Sequence, residues 1–255
     1  MILLDKVSAA YGARTVLDNL SMHVRRSERV ALAGANGVGK SSLLRVITGQ
    51  LTAAGTVRVD GQDPARLPPR KRARLMAVVP QEIPNDIPFS AGDFVMLGRT
   101  ALLPRFSAPT AADLRAAEEA MRLTDTWDLR QRPFPEMSGG EQQRIALAMA
   151  LSSRPEVILL DEPTSHLDLR HRIDLMRLLD RLCQERGITV LMVVHDLTLA
   201  SQFFPRIALL HQGRVLSDGT PADVLRPDIL QTAYGCPVSV FPLSGTPAIC
   251  VLPRA

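Results

Sequence analysis

The sequence predicts an α/β protein built on a mainly parallel sheet, and three observations carry that reading. Apolar runs of strand length alternate with helical stretches, the pattern of parallel strands covered on both faces by helices. One such strand, residues 29–33, runs straight into Gly34-Ala35-Asn36-Gly37-Val38-Gly39-Lys40-Ser41, which fits the phosphate-loop pattern GxxxxGK followed by Ser or Thr. A block of helical character, residues 84–154, then separates two groups of strands and reads as an insertion into the core.

Each element has its own signal. Residues 2–7 and 19–24 read as short strands, and 56–60 alternates apolar and polar residues as an edge strand does. The phosphate loop leads into a helix over 42–49, where Leu43, Leu44, Val46 and Ile47 recur at helical spacing. Residues 75–79 are apolar with β-branched valines and suit a central strand. Inside the helical block, Thr110 starts a helix that runs to about residue 124. Ser138 and Glu141 form the S-x-x-E capping box of another, which stops at Arg154-Pro155. A strand resumes at Val157. The helix 168–186 is expected to bury Leu169, Ile173, Met176, Leu179 and Leu182, with Gly187 as its C-terminal cap. Strands follow at 188–194, 207–210 and 214–217, the last two joined by a tight turn at Gln212-Gly213. Residues 238–252 hold two strand-like runs that make a small C-terminal hairpin.

Composition narrows the function classes. At 255 residues the chain can bury a sizeable core, and 46% hydrophobic with 22% charged residues is ordinary for a globular protein. No apolar run approaches the roughly 18–20 residues that span a bilayer, and residues 1–5 lack the basic start of a secretory signal. A transport role would therefore need another chain to supply the pore. Cys183, Cys236 and Cys250 have no metal-type spacing and read as free thiols. Much of the net charge of +4 sits in Arg66, Arg70, Lys71, Arg72 and Arg74, interrupted by Pro68 and Pro69. No aromatic residue interleaves with that run, so it reads as a solvated basic face and not as a nucleic-acid platform.

The chemistry-bearing residues form a short series. Gly34, Gly37 and Gly39 let the backbone curl so that its N–H groups face phosphate oxygens, and the following helix adds its positive end. Lys40 places a cation on the β- and γ-phosphates, and the Ser41 hydroxyl is a Mg²⁺ ligand. The glycine spacing does not make the GxGxxG of a dinucleotide fold. Asp161 and Glu162 end an apolar strand and so emerge at the carboxyl edge of the sheet, where ligands bind in such folds. His195 ends another apolar strand, Gln81 follows a third, and Ser138-Gly139-Gly140-Glu141-Gln142 opens a helix.

These five signatures, each present once and in this order, resemble the nucleotide-binding subunit of an ATP-binding-cassette (ABC) transporter over nearly the whole chain. The resemblance implies a RecA-like P-loop NTPase core with an N-terminal antiparallel β-subdomain and an inserted α-helical subdomain. Residues 1–83 and 155–255 would form the core with its β-subdomain, and 84–154 the helical part. It implies ATP held by Tyr11 (stacked on adenine), Gly34, Asn36, Gly37, Gly39, Lys40, Ser41 and Ser42, with Mg²⁺ on Ser41, Gln81 and Asp161. Glu162 would act as general base, while His195 would contact the γ-phosphate and orient Glu162 and the attacking water. Ser138, Gly139 and Gly140 would close over the nucleotide of a second copy, and Asp168 belongs to the matching dimer-contact loop. Met137 and Glu141 depart from the commoner Leu and Gln, and Glu141 is expected to turn back to the backbone. The other histidines, His23, His166, His171 and His211, lack metal-ligand grouping and read as structural.

Secondary motifs narrow the resemblance. Phe94-Val95-Met96-Leu97-Gly98-Arg99, the run Thr164-Ser165-His166-Leu167-Asp168 and the tail Ala233-Tyr234-Gly235 resemble importers of ferric siderophores, haem and cobalamin. The expected role is ATP hydrolysis that energises metal-chelate import. The chain would act as a homodimer beneath two permease subunits, with a substrate-binding protein engaged indirectly, on the cytoplasmic face of the membrane. A groove near Gln81 and Arg99 would receive the permease's cytoplasmic helix, with Arg99 as a docking residue. Another ABC importer or exporter is the alternative, and a soluble non-transport ABC ATPase is disfavoured by the single cassette without coiled coil or zinc module.

Overall fold

A computed structural model describes residues 1–83, 88–104, 107–165, 167–242 and 249–253 of the 255. Pro84, taken as the start of the helical block, and His166 lie outside the described residues. The chain opens with β1 (Ile2–Tyr11), β2 (Arg14–Val24), β3 (Arg29–Gly34), α1 (Lys40–Ile47), β4 (Ala53–Val59), α2 (Pro69–Leu75) and β5 (Met76–Val79). It continues through α3 (Ala91–Leu97), α4 (Ala111–Leu123), α5 (Gly139–Ser152), β6 (Val157–Asp161), α6 (Leu169–Arg186), β7 (Thr189–Val193) and α7 (Leu197–Phe203). The last elements are β8 (Arg206–His211), β9 (Arg214–Gly219), α8 (Pro221–Val224), α9 (Pro227–Tyr234), β10 (Val238–Pro242) and β11 (Ile249–Pro253).

The chain divides into two compact units, residues 1–66 with 189–255, and residues 67–188. The first unit holds an antiparallel sheet in the order β2-β1-β4, with β1 central. Ile2, Leu4, Val7 and Ala9 of β1 and Leu17, Leu20, Met22 and Val24 of β2 are buried. Both strands run longer than their apolar alternation suggests. Register shifts between Leu4 and Val7 and between Val7 and Ala9 break the period of two, and Lys6 and Asn19 adopt left-handed φ of 51° and 50°. In the same unit β3 lies in parallel between β7 and β8, and β9 adds antiparallel to β8 through Gln212-Gly213, whose φ values of 48° and 74° suit a type I′ turn. Val30, Ala31, Leu32 and Ala33 are all fully buried, as expected of a parallel strand covered on both faces. The C-terminal hairpin is present as β10 and β11.

In the second unit β5 and β6 pair in parallel, and α3 and α4 pack on α5. Phe94 stacks on Phe134 with ring centroids 4.2 Å apart, and α5 is buried on more than one side, with Ala146, Ala148 and Ala150 all inside. The helix α6 buries Leu175, Met176, Leu178, Leu179 and Leu182, and Gly187 caps it with φ 67°. Two of the five residues expected in its core are not there: Leu169 is 71% exposed and Ile173 only half-buried, because the packed stripe begins two turns into the helix. The basic run falls largely on α2, with Arg70, Lys71 and Arg74 exposed, so it is a solvated face. Cys236 is an exposed free thiol, and Cys183 is buried in α6.

Arg99 corrects a second expectation. Its side chain is 14% exposed, and its guanidinium donates to Asp113 Oδ1 at 3.0 and 2.6 Å and to the Ser152 carbonyl at 2.8 Å. It ties the start of α4 to the end of α5 and is not a docking residue. The Thr110 hydroxyl, then Arg99, hold the Asp113 carboxyl down at a pKa of about 2. Breaking a buried pair leaves an uncompensated charge, so Arg99→Ala should destabilise the chain by about 3 kcal/mol in denaturant unfolding. Since the folded pKa of Asp113 lies below its unfolded value of 3.8, this contribution is present above pH 4 and fades as the pH falls towards 2. A pH series of parent and variant should therefore converge at the acid end.

Candidate active site

The phosphate loop grows out of β3, whose residues from Val30 to Gly34 are all buried. Gly39 has φ 110°, and a Cβ there would lie 2.5 Å from the Val16 carbonyl oxygen, so both conformation and space demand glycine. The helix α1 starts at Gly39 with no side-chain cap and no acidic residue in its first turn. No capping oxygen or carboxylate of its own turn competes at that end, and the helix dipole favours an anion there. Lys40 is 5% exposed, and its Nζ donates to the Gly34 and Ala35 carbonyls at 2.7 and 3.1 Å, curled inside the loop it would share with phosphate. Asn36 and Gly37 are exposed at the loop's tip, while Ser41 and Ser42 are half-buried in the first turn of α1.

Two further candidates sit in this unit. Leu32 of β3 pairs with Val193 of β7, and the Val194 N–H donates to the Leu32 carbonyl at 3.0 Å. His195 therefore leaves the sheet at the same carboxyl edge as Gly34. Tyr11 is 44% exposed, and its hydroxyl accepts from Arg45 at 3.1 Å, which anchors the ring beside α1. The phenol of Tyr234, at the end of α9, has a role that no local pattern reveals. A backbone hydrogen bond joins it to Gly34, while burial pushes its pKa up to about 12, so the C-terminal helix is tied to the first residue of the phosphate loop.

The second unit brings together the other signatures. Val79 of β5 pairs with Leu160 of β6, so Gln81 and the Asp161-Glu162 pair leave adjacent strands at one edge. Gln81 Nε2 donates to Glu162 Oε2 at 2.9 Å. Glu162 has φ 49°, a left-handed conformation uncommon for a residue with a Cβ and found at sites where the structure overdetermines it. A cavity of about 520 Å³ lies between the Gln81 loop, the start of α5 and the loop after Glu162, lined among others by Met137, Gly139, Gln143 and Ser165. Gln143, which the sequence reading passed over, is buried there, and its Nε2 has no hydrogen-bond partner among the described residues.

The two helix starts of this unit that carry signature residues, those of α5 and α6, are capped. Ser138 Oγ accepts from the Glu141 N–H at 3.4 Å, and Glu141 Oε2 accepts from the Ser138 N–H and hydroxyl at 2.8 and 2.9 Å. Glu141 does turn back to the backbone, and the Ser138 N–H bond, aided by Arg132 nearby, holds its carboxyl below the usual range. Asp168 caps α6 by accepting from the His171 N–H at 2.9 Å, and its own carboxyl is lowered chiefly by that bond. Its side chain stays 66% exposed.

Comparison with known proteins places this geometry. The family model described as ABC transporter matches residues 17–165. The hemin import ATP-binding protein HmuV of Rhodococcus jostii (strain RHA1) is 43% identical, over 98% of this chain and 85% of the relative. The protein of the same description from Rhizobium meliloti (strain 1021) is 36% identical, over 100% and 99%. A solved metal-chelate type ABC transporter in an inward-facing conformation superposes with a TM-score of 0.86 at 25% identity, covering 100% of this chain and 97% of that one. A dimeric ATP-binding cassette bound to ADP and Pi gives 0.76 at 29% identity, covering 87% and 99%. The expected fold class holds: a P-loop NTPase with a mixed sheet, an antiparallel N-terminal sheet and a helical subdomain. The chain belongs to the ABC transporter family, as an ATP-hydrolysing subunit.

Proposed function

We propose that this chain energises haem import, working as a homodimer beneath two permease subunits on the cytoplasmic face of a membrane. The observation that carries the reading is the near full-length likeness to relatives described as hemin import ATP-binding proteins. The dimeric arrangement is supported by the solved cassette dimers of similar fold. No helix among the described residues is long and apolar enough to cross a membrane, so the pore falls to the permease. Phe89 and Leu97, both exposed, offer that permease an apolar contact in the stretch where Arg99 does not.

ATP would stack its adenine on Tyr11 and place its phosphates against Gly34, Asn36, Gly37, Gly39, Lys40, Ser41 and Ser42. Mg²⁺ suits the remaining donors, because the Ser41 hydroxyl, the Gln81 amide and the Asp161 carboxylate are hard oxygen ligands. Among the described residues no group of three or more His, Cys, Asp or Glu could hold a metal, which fits an ion that arrives with nucleotide. Bound there, it would neutralise charge on the transferring phosphoryl group. Glu162 would take the proton of the attacking water, with Gln81 holding its carboxylate in position. His195 would contact the γ-phosphate. Ser138, Gly139 and Gly140, with Asp168, would meet the nucleotide of the second copy.

Lys40→Ala should lower ATP affinity by at least tenfold in fluorescent-nucleotide titration, and a variant that binds like the parent would remove the phosphate loop from this role. Glu162→Gln should bind Mg-ATP, hydrolyse it at under one hundredth of the parent rate and accumulate as a dimer in size exclusion. Cells lacking the chain should lose uptake of labelled haem and regain it with the parent but not with Lys40→Ala. Loss of ferric siderophore or cobalamin uptake in place of haem would transfer the assignment to that chelate.

A further inference from the structure

His171, read from sequence as structural, sits where two helix starts meet. We propose that His171 is a positioning residue that holds the Asp168 loop and the Gly140 turn as one rigid edge, so that both engage the second copy's nucleotide together. The inference rests on the dimeric ATPase reading and concerns a residue that reading leaves without a task.

The geometry is specific. A Cβ built on Gly140 would lie 3.2 Å from His171 Cγ and 3.3 Å from both Cδ2 and Nδ1. Three ring atoms at nearly equal distance mean that the imidazole lies with its face against the Gly140 Cα. Gly140 is in ordinary helical conformation, with no positive φ, so its backbone does not require glycine. The ring crowds the position instead: a methyl group there would sit a few tenths of an ångström inside the usual carbon contact of about 3.5–4.0 Å, and the imidazole would have to shift.

The other edge of the ring is fixed as well. His171 Nδ1 lies 2.8 Å from Asp168 Oδ1, and the same oxygen accepts the His171 N–H at 2.9 Å. An ionised Asp168 only accepts, so Nδ1 carries the proton and donates. One side chain thereby spans the N-terminus of α5, a helix of 14 residues, and that of α6, one of 18. The Asp168 carboxylate, still 66% exposed, is free to meet a partner while held in place from behind. Without His171 the two starts keep their own caps but lose the contact between them, so each could move alone. The cost would appear in dimer closure and not in nucleotide binding, since the phosphate loop belongs to the other unit.

The test uses the full chain in the Glu162→Gln background, with dimer formation followed by size exclusion at increasing Mg-ATP. His171→Leu fills the space over Gly140 but cannot donate. His171→Asn places an amide near the Nδ1 position and keeps the bond to Asp168. His171→Leu should need at least tenfold more ATP for half-maximal dimer, and His171→Asn should recover most of that loss. Affinity for a fluorescent ADP analogue, measured on each chain, should stay within twofold. His171→Ser, which lacks both contacts but suits a helix start, carries the comparison if the Leu variant loses cooperative unfolding. A Leu or Ser variant that dimerises like its parent overturns the proposal, as does an Asn variant no better than Leu. A Glu162→Gln parent that binds ATP yet stays monomeric would instead overturn the dimeric reading itself, and so is told apart.

Discussion

A helix start exposes four backbone N–H groups that its own turns cannot satisfy, and the way each major helix deals with them organises the chemistry of this chain. Thr110, Ser138 and Asp168 cap α4, α5 and α6 with side-chain oxygens, and for α4 and α5 an acidic residue reaches back to complete the box. The helix α1 has neither device. Its first turn instead brings Lys40, so both dipole and side chain are positive at one place. That concentration of positive charge favours an anion. Much else in the first unit serves to hold that start still: a fully buried β3 delivers it, Val16 presses on Gly39, and Tyr234 reaches Gly34 from the C-terminal helix.

The capped starts of the second unit solve a different problem. The Ser138 hydroxyl both accepts from Glu141 and donates to it, so this turn is rigid before any nucleotide approaches. The carboxylate that completes the box is negative, which on its own would repel a phosphate. Its bonds to Ser138 and the nearby Arg132 draw that charge back towards the protein. A helix dipole with two glycines beside it then remains the feature presented outward, which is the chemistry expected of a surface that closes over another subunit's phosphates.

What could be read from sequence was whatever depends on neighbours in the chain. The phosphate loop, the capping box at Ser138, the C-cap at Gly187 and the carboxyl ends of the apolar strands are all local patterns, and the structure reproduces them. What failed depends on contacts between distant segments. Arg99 resembled a surface residue because its partner Asp113 lies 14 positions away and its third bond is to a backbone carbonyl of another helix. His171 looked unremarkable because the residue it presses on, Gly140, belongs to α5. Leu169 sits on the right stripe of α6 but ahead of the turns that are packed. The lengths of β1 and β2 were obscured by bulges that shift the alternation on which strand reading relies.

The carboxylate pair shows how the proposed catalytic arrangement can follow from sheet register. Successive residues of a strand point to opposite faces, so Asp161 and Glu162 could not act at one place if β6 simply continued. The strand ends at Asp161, and the left-handed φ of Glu162 turns the chain out of the pleat at that point. Which neighbour Glu162 then meets is set one strand away. Because Val79 pairs with Leu160, the chain leaving β5 delivers Gln81 to within 2.9 Å of the Glu162 carboxylate. A slip of one residue in that pairing would turn the side chains of β5 to the opposite face and carry Gln81 away from Glu162. The burial of Val79 and Leu160, both fully inside, is what forbids the slip. The apolar strands therefore do more than stabilise the core: their register determines which polar groups meet at its edge.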